Sequence, residues 1–387
     1  MQAIKISDDV YFVGAVDWSL REFHGYETGR GSTYNAYLII DDKITLIDTV
    51  KEDCADELIN RIKSVIDIAA VDYIVSNHAE PDHAGSIGKL AKLCPKATII
   101  TSAPHGVKSL TARYGELKYQ AVKSGDSINI GKRNLQFVTV PMLHWPDSMV
   151  TYCPEDKILF SSDAFGQHFA STGRFDDEND LPIVMYEAKK YYANILMPYG
   201  KQAQNALAAL SNFDIKTIAT GHGVIWRSHI LSILAAYERW SAGEVEDRAV
   251  VVFDSMWHST EIIAAEIADA FAEKGIPTEF FDLKKNPMAD IVAAMFTAKY
   301  LAVGSSTLNN QMMPNVAKFL CYIKGLRPQN HVGFAFGSYG WGGQSIGLVE
   351  DELKAAGINI CADKIRVAGV PTPAQLAEIR QKVLSVE

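Results

Sequence analysis

His78-Ala79-Glu80-Pro81-Asp82-His83 is the stretch on which the reading of this sequence turns. Side chains able to hold a metal ion stand at 78, 80, 82 and 83. The run Tyr73-Ile74-Val75-Ser76-Asn77 ahead of them predicts a strand, and Ala84-Gly85-Ser86 behind them opens a helical period over 86–93. At a strand end such side chains can converge, which packing alone does not ask of two imidazoles and two carboxylates. Alternation in an extended loop would place His78, Glu80 and Asp82 on one side, with Pro81 bending the chain and His83 turned toward a second ion.

Further candidates close later strand-like runs. His144 lies in Met142-Leu143-His144-Trp145-Pro146-Asp147-Ser148, Asp163 in Phe160-Ser161-Ser162-Asp163, and His222 in Thr220-Gly221-His222-Gly223. As late strands of one sheet feeding one edge, they complete a site for two ions.

The remainder of the N-terminal part carries short β-like runs at 11–13, 37–40, 45–47, 98–100, 137–140 and 158–160, with helical periods over 56–66 and 86–93. This mixture predicts an α/β layered domain. The polar stretch Ser241-Ala242-Gly243-Glu244-Val245-Glu246-Asp247-Arg248 reads as a linker. Strands at 249–253, 278–282, 300–304 and 332–336 then alternate with helices at 261–274, 291–297, 316–324 and 348–356, which implies a parallel sheet covered on both faces. A chain of 387 residues is long enough for two or three domains at about 150 residues each.

Composition narrows the function. Hydrophobic content of 48% provides a core, and a net charge of -9 argues against a nucleic-acid ligand, which needs a clustered basic surface. The N-terminus lacks a signal-peptide apolar region, and no run of about 18 apolar residues occurs, so the expectation is a cytoplasmic protein without a membrane span. Cys54, Cys94, Cys153, Cys321 and Cys361 form no C-x-x-C pair and read as reduced thiols.

The second half offers a ligand site of its own. The strand at 250–253 ends in Asp254-Ser255-Met256-Trp257-His258-Ser259-Thr260, where hydroxyls and free amides at a helix start can hold a phosphate. Gly304-Ser305-Ser306-Thr307-Leu308-Asn309-Asn310 and Gly337-Ser338-Tyr339-Gly340-Trp341-Gly342-Gly343 follow the third and fourth strands, and in a doubly wound sheet these loops meet at the carboxyl edge. Trp257, Tyr339 or Trp341 could pack against a flat ring of such a ligand. No G-x-G-x-x-G follows the first strand, which disfavours NAD.

The pattern H-x-[EH]-x-D-H with later His, Asp and His resembles the metallo-β-lactamase superfamily, which implies an αββα sandwich with metals at one sheet edge. Hydrolytic zinc members usually have histidine where Glu80 stands, and an oxygen donor favours iron over zinc. The segment 254–260 resembles the phosphate loop of flavodoxins, with His258 where glycine is common; FMN is the expected ligand. The fold class expected is therefore α/β: a metallo-β-lactamase-like αββα sandwich over 1–247, then a flavodoxin-like doubly wound parallel sheet over 248–387.

Joined in this order, the halves resemble the flavodiiron proteins, the family of rubredoxin:oxygen oxidoreductases and flavorubredoxin-type NO reductases, over essentially the whole chain. His144-Trp145-Pro146-Asp147-Ser148, Ser255-Met256-Trp257-His258-Ser259-Thr260 and Tyr191-Tyr192-Ala193-Asn194-Ile195 strengthen the match. The resemblance implies that His78, Glu80 and His144 hold one iron, Asp82, His83 and His222 the other, and that Asp163 bridges them. Members differ at the position of His83, where some have water in place of the histidine. His24, Tyr26 and Trp145 are candidates to flank the ligands. The family further implies a head-to-tail homodimer or dimer of dimers. Since the chain ends soon after the flavodoxin-like part with no fused electron-entry module, a separate rubredoxin or similar donor is the expected partner.

The pairing makes chemical sense. Reduction of O2 to water takes four electrons and coupling of two NO to N2O takes two; a diferrous pair supplies two and reduced FMN two more. A zinc hydrolase with a regulatory flavin, or an electron carrier with a structural metal site, are the rival readings.

Overall fold

The computed structural model describes residues 1–386. They form two compact units: Met1–Phe23, Thr28–Tyr191 and Lys201–Glu238 in the first, and His24–Glu27, Tyr192–Gly200 and the chain from Arg239 onward in the second.

The first unit holds two sheets. One runs in the order Ile4–Ser7, Val10–Phe12, Tyr37–Ile39, Thr45–Ile47, Tyr73–Ser76, Thr98–Ser102, Tyr119–Val122, antiparallel through its first four strands and parallel thereafter. The other runs Ser127–Asn129, Asn134–Thr139, Met149–Cys153, Ile158–Ser162, Thr217–Thr220, with only the last pair parallel. Neighbouring residues on a strand face opposite ways, and the sequence uses both faces. Ile74, with Leu38, Leu46 and Ile99, packs under Leu58, Ile87 and Leu110 of the helices Ala55–Lys63, Ile87–Leu93 and His105–Tyr114. Val75, with Ile39, Ile47 and Ile100, meets Phe137, Met149 and Phe160 of the second sheet. Each such side chain is worth ~1.5–3 kcal/mol on burial. Two-sided burial makes these strands short apolar runs, and their polar ends emerge together at one edge.

The second unit is a single parallel sheet in the order Thr278–Asp282, Glu246–Asp254, Ala298–Ser305, Val332–Tyr339, the last pairing with both Asn359–Ile360 and Ile365–Ala368. Ala249–Phe253 is fully buried, as a central strand covered on both faces requires. Helices Ser259–Glu273, Met288–Phe296, Pro314–Leu326 and Gln344–Ala355 match the expected alternation.

Three local features differ from the sequence reading. The polar stretch at 241–248 is not a free connector: helix Ile230–Ser241 ends in it and strand Glu246–Asp254 of the second unit already starts within it. Strand Ile365–Ala368 and helix Pro373–Leu384 close the unit without having been anticipated, because an edge strand with alternate exposure offers no long apolar run. Thr307–Leu308 and Gln311–Met312 form a small hairpin turning through Asn309 and Asn310, both at positive φ. All five cysteines are free. No helix among the described residues is long and apolar enough to cross a membrane.

Candidate functional site

The strand ends of the first unit deliver the expected side chains to one place. His78 follows Tyr73–Ser76, Asp163 follows Ile158–Ser162 and His222 follows Thr217–Thr220, while His144 stands in the loop after Asn134–Thr139. Pro81 does more than bend the loop. It starts a helical turn, Pro81–Ala84, with Glu80 at its N-cap. Strict alternation therefore fails at Asp82, which rotates away from His78 and Glu80. Two sets of donors result, His78 with Glu80, His144 and Asp163, and Asp82 with His83 and His222; within each set the donor atoms lie within 4.8 Å of one another.

Asp163 spans the two sets. Its Oδ2 lies 3.5 Å from His78 Nε2 and 3.4 Å from His144 Nε2, whereas its Oδ1 lies 2.9 Å from His83 Nε2 and 3.4 Å from His222 Nε2. Glu80 Oε2 is 3.2 Å from His78 Nε2 and 3.1 Å from His144 Nε2, and Asp82 Oδ2 is 3.2 Å from His222 Nε2. Donors about 2.1 Å from a shared cation, at tetrahedral to octahedral angles, stand about 3.0–3.4 Å apart, so these spacings fit metal coordination. Asp82 Oδ1 and Asp163 Oδ2 are buried without a hydrogen-bond partner, a costly state for a carboxylate oxygen unless a cation meets it.

Hydrogen bonds fix which nitrogen two of the rings present. Asp147 Oδ2 accepts from the Ala79 amide at 2.6 Å and lies 3.0 Å from His78 Nδ1. The Thr33 carbonyl lies 2.6 Å from His222 Nδ1. Such partners orient a ligating histidine and raise its basicity. His83 Nδ1 has no such partner. The Trp145 ring stands edge-on to His78 at 5.1 Å. Of the other flanking candidates, His24 is exposed and Tyr26 buried, both within the second unit.

Electrostatics follow the geometry. Burial disfavours charge on His144 and His222, but the carboxylates outweigh it: Asp163 and Glu80 raise His144 to about 9, and Asp163 and Asp82 raise His222 to about 10. Burial would push Asp163 up; the charge on His83 and the close imidazoles of His144, His222 and His83 hold it well below the usual carboxylate range. A compact set of imidazoles and carboxylates that trap one another's protons is a set that cations can displace those protons from.

Sequence reasoning missed several neighbours. Tyr191, quoted only as part of a signature, donates from its hydroxyl to Asp163 Oδ1 at 2.8 Å. His168 is buried, its Nδ1 2.7 Å from Ser32 Oγ and its ring 5.1 Å from that of His222. Burial, then the charge of His222, holds its pKa well below the ordinary value, so it stays neutral. The only signal in the sequence was proximity to Asp163.

In the second unit a cavity of about 170 Å³ is lined by Met256, Trp257, Ser259, Ser306, Ser338, Tyr339, Gly340 and Gly369. Thr260 Oγ1 ties the three expected loops together, 3.0 Å from Ser306 Oγ and 2.8 Å from Ser338 Oγ. Ser255 Oγ is buried without a hydrogen-bond partner beside the start of helix Ser259–Glu273, an arrangement suited to a phosphate group. His258 adopts φ 66°, a left-handed conformation that glycine reaches without strain. Its side chain turns outward to Glu261, and Trp341 is almost wholly exposed. Ser305 Oγ accepts from the Met313 amide and Thr307 Oγ1 pairs with Ser345, so these hydroxyls brace the loop. Leu308, Gly337 and Gly342 do not line the cavity, and Gly369, which does, went unnoticed in the sequence.

Residues 33–223 match the ODP family beta lactamase, and residues 251–382 match the flavodoxin family. The nitric oxide reductase of Moorella thermoacetica is 45% identical over 94% of this chain and 92% of its own length. The chain belongs to the flavodiiron protein family. Another relative, the rubredoxin-oxygen oxidoreductase of Megalodesulfovibrio gigas, is 40% identical over 98% of this chain and 96% of its own. Among solved structures, the rubredoxin oxygen:oxidoreductase from Desulfovibrio gigas matches with a TM-score of 0.97 at 38% identity, covering 100% of this chain and 98% of that one. The flavodiiron protein from Giardia intestinalis matches with a TM-score of 0.97 at 36% identity, covering 100% and 96%. The two-part fold expected of a flavodiiron chain, metallo-β-lactamase-like then flavodoxin-like, is the fold present.

Proposed function

We propose that this flavodiiron protein reduces O2 to water, NO to N2O, or both, at a non-haem diiron centre, with electrons passed through FMN from a rubredoxin-type donor. The reading rests on one observation above all: the two oxygens of Asp163 face separate histidine–carboxylate sets. We assign His78, Glu80 and His144 to one iron, Asp82, His83 and His222 to the other, and Asp163 to both. The FMN phosphate is assigned to Ser255, Ser259 and Thr260. Relatives named as reductases of O2 and NO favour this over a zinc hydrolase with an accessory flavin. In our reading the protein works in the cytoplasm, and it assembles as a head-to-tail homodimer or dimer of dimers.

A ferrous pair, when bound, supplies two electrons and two adjacent coordination positions for a diatomic ligand or two NO molecules. The chain's own contribution is orientation and proton placement. Asp147 and the Thr33 carbonyl fix the rings of His78 and His222, so that Nε2 of each faces the centre. Tyr191 donates a hydrogen bond from its hydroxyl to Asp163 Oδ1. Neutral His168 packs against the His222 ring without adding charge. Reduced holoprotein given O2 and NO separately should consume the gas, forming water or N2O. A zinc-loaded form should do neither; if it turns over a hydrolysable ester instead, the reductase reading fails.

A further inference from the structure

A small cavity in the first unit lies against the polypeptide that carries two of the proposed ligands. Leu143, immediately before His144, forms one wall, and Ala164 and Phe165, immediately after Asp163, form another. The opposite wall is one face of helix Gly200–Leu210, presenting Ala203, Ala206, Leu207 and Leu210 at the i, i+3, i+4, i+7 spacing. Tyr237 is the one polar side chain in the lining, and its hydroxyl oxygen accepts from the Phe165 amide at 2.7 Å. The cavity's volume is about 10 Å³, the lower limit for one very small molecule.

We propose that this cavity is a holding site for one molecule of a small apolar gas, the diatomic substrate on its way to the metal centre. The inference rests on the function proposed above. Water needs two to four polar partners to settle in a buried site, and here the walls are Leu, Ala, Val and Phe carbon with a single hydroxyl, that of Tyr237, which already accepts from the Phe165 amide. O2 and NO are poorly solvated and lose little on leaving water, so the same walls select for them. The two alanines make the space, since any larger side chain at 203 or 206 would fill it. Leu207 is half-buried where its neighbours in the lining are buried, which makes it the side chain between the cavity and solvent.

Xenon is the probe, being apolar and of comparable size. In crystals of the wild-type holoenzyme under xenon pressure, a xenon atom should occupy the space between Leu143 and Ala206. Ala206→Leu should remove that density and raise KM for the gas several-fold with kcat and iron content unchanged. Ala203→Val, a smaller filling, serves if Ala206→Leu fails to fold. Absence of xenon from a wild-type enzyme that turns over normally overturns the cavity proposal alone, as does an unchanged kcat/KM in a correctly folded filled variant. A wild-type holoenzyme that reduces neither gas overturns the function itself, whatever xenon does.

Discussion

Replacing Asp147 separates the roles of ligand and support, because its carboxylate touches a proposed ligand without belonging to either donor set. One oxygen, Oδ2, serves both His78 Nδ1 at 3.0 Å and the Ala79 amide at 2.6 Å, and the residue is only 2% exposed. In Asp147→Asn the amide oxygen can take over both contacts, so geometry survives and the charge is lost. A hydrogen bond to a charged group is worth about 1.5–3 kcal/mol, and loss of such a partner typically costs roughly 10–100-fold in metal affinity. Asp147→Asn should sit at the lower end of that range. Asp147→Ala leaves two buried donors without an acceptor, each costing about 1–3 kcal/mol, and should lose both iron and thermal stability. The assay is iron retention against a graded chelator, with bound FMN measured in the same samples as an internal control in the other unit. Wild-type iron retention in both variants, with FMN intact, would refute the claim that Asp147 orients His78.

Other outcomes follow from the same geometry. His144 at about 9 and His222 at about 10 must lose protons to ligate, so iron loading at pH 7 should release protons, and apparent affinity should fall as pH drops from 8 to 6; calorimetry in buffers of different ionisation heat reads this, and loading without proton release contradicts it. For the metal-free chain the sign reverses. Histidines with raised folded-state values stabilise it fully below about 6.5 and lose that contribution as pH rises through about 9 to 10, so its Tm should decline over that window. Gly221→Ala would place a methyl 2.6 Å from His83 Cε1 and 2.9 Å from the Ser162 carbonyl; the ring must move, and bound iron should drop from about two toward one per chain while FMN stays. Thr260→Val removes the hydroxyl joining Ser306 and Ser338, and flavin titration should show FMN affinity weakened about tenfold with iron unaffected.

How much of this the sequence discloses depends on where the information lies. The cluster at 78–83 is legible because four donors crowd one loop, and Asp163 and His222 because strand ends mark them. The placement of Asp82 in the second donor set is not legible from alternation, since Pro81 changes the local period from two to that of a helix. Asp147, Tyr191 and His168 act through contacts across 69, 28 and 136 residues of chain, which no local spacing encodes. The same holds for His24–Glu27 and Tyr192–Gly200, which group with the second unit: Glu27 accepts from the Ala289 amide, and Asn194 donates to the Ala289 carbonyl. The Ser255–Thr260 loop was recognisable by composition, whereas the edge strand at Ile365–Ala368 leading to Gly369 carried only two buried side chains.

The central claim is that Asp163 joins two irons which take electrons from the flavin and pass them to a diatomic gas. A single turnover of anaerobically reduced holoprotein, mixed with O2 or NO and followed by flavin absorbance, tests it most directly against Asp163→Ala. The account predicts fast flavin reoxidation with about two irons per chain in the wild type, and slow reoxidation in a variant that keeps FMN. Equal rates in the two proteins, or zinc as the sole metal in an active wild type, would contradict it.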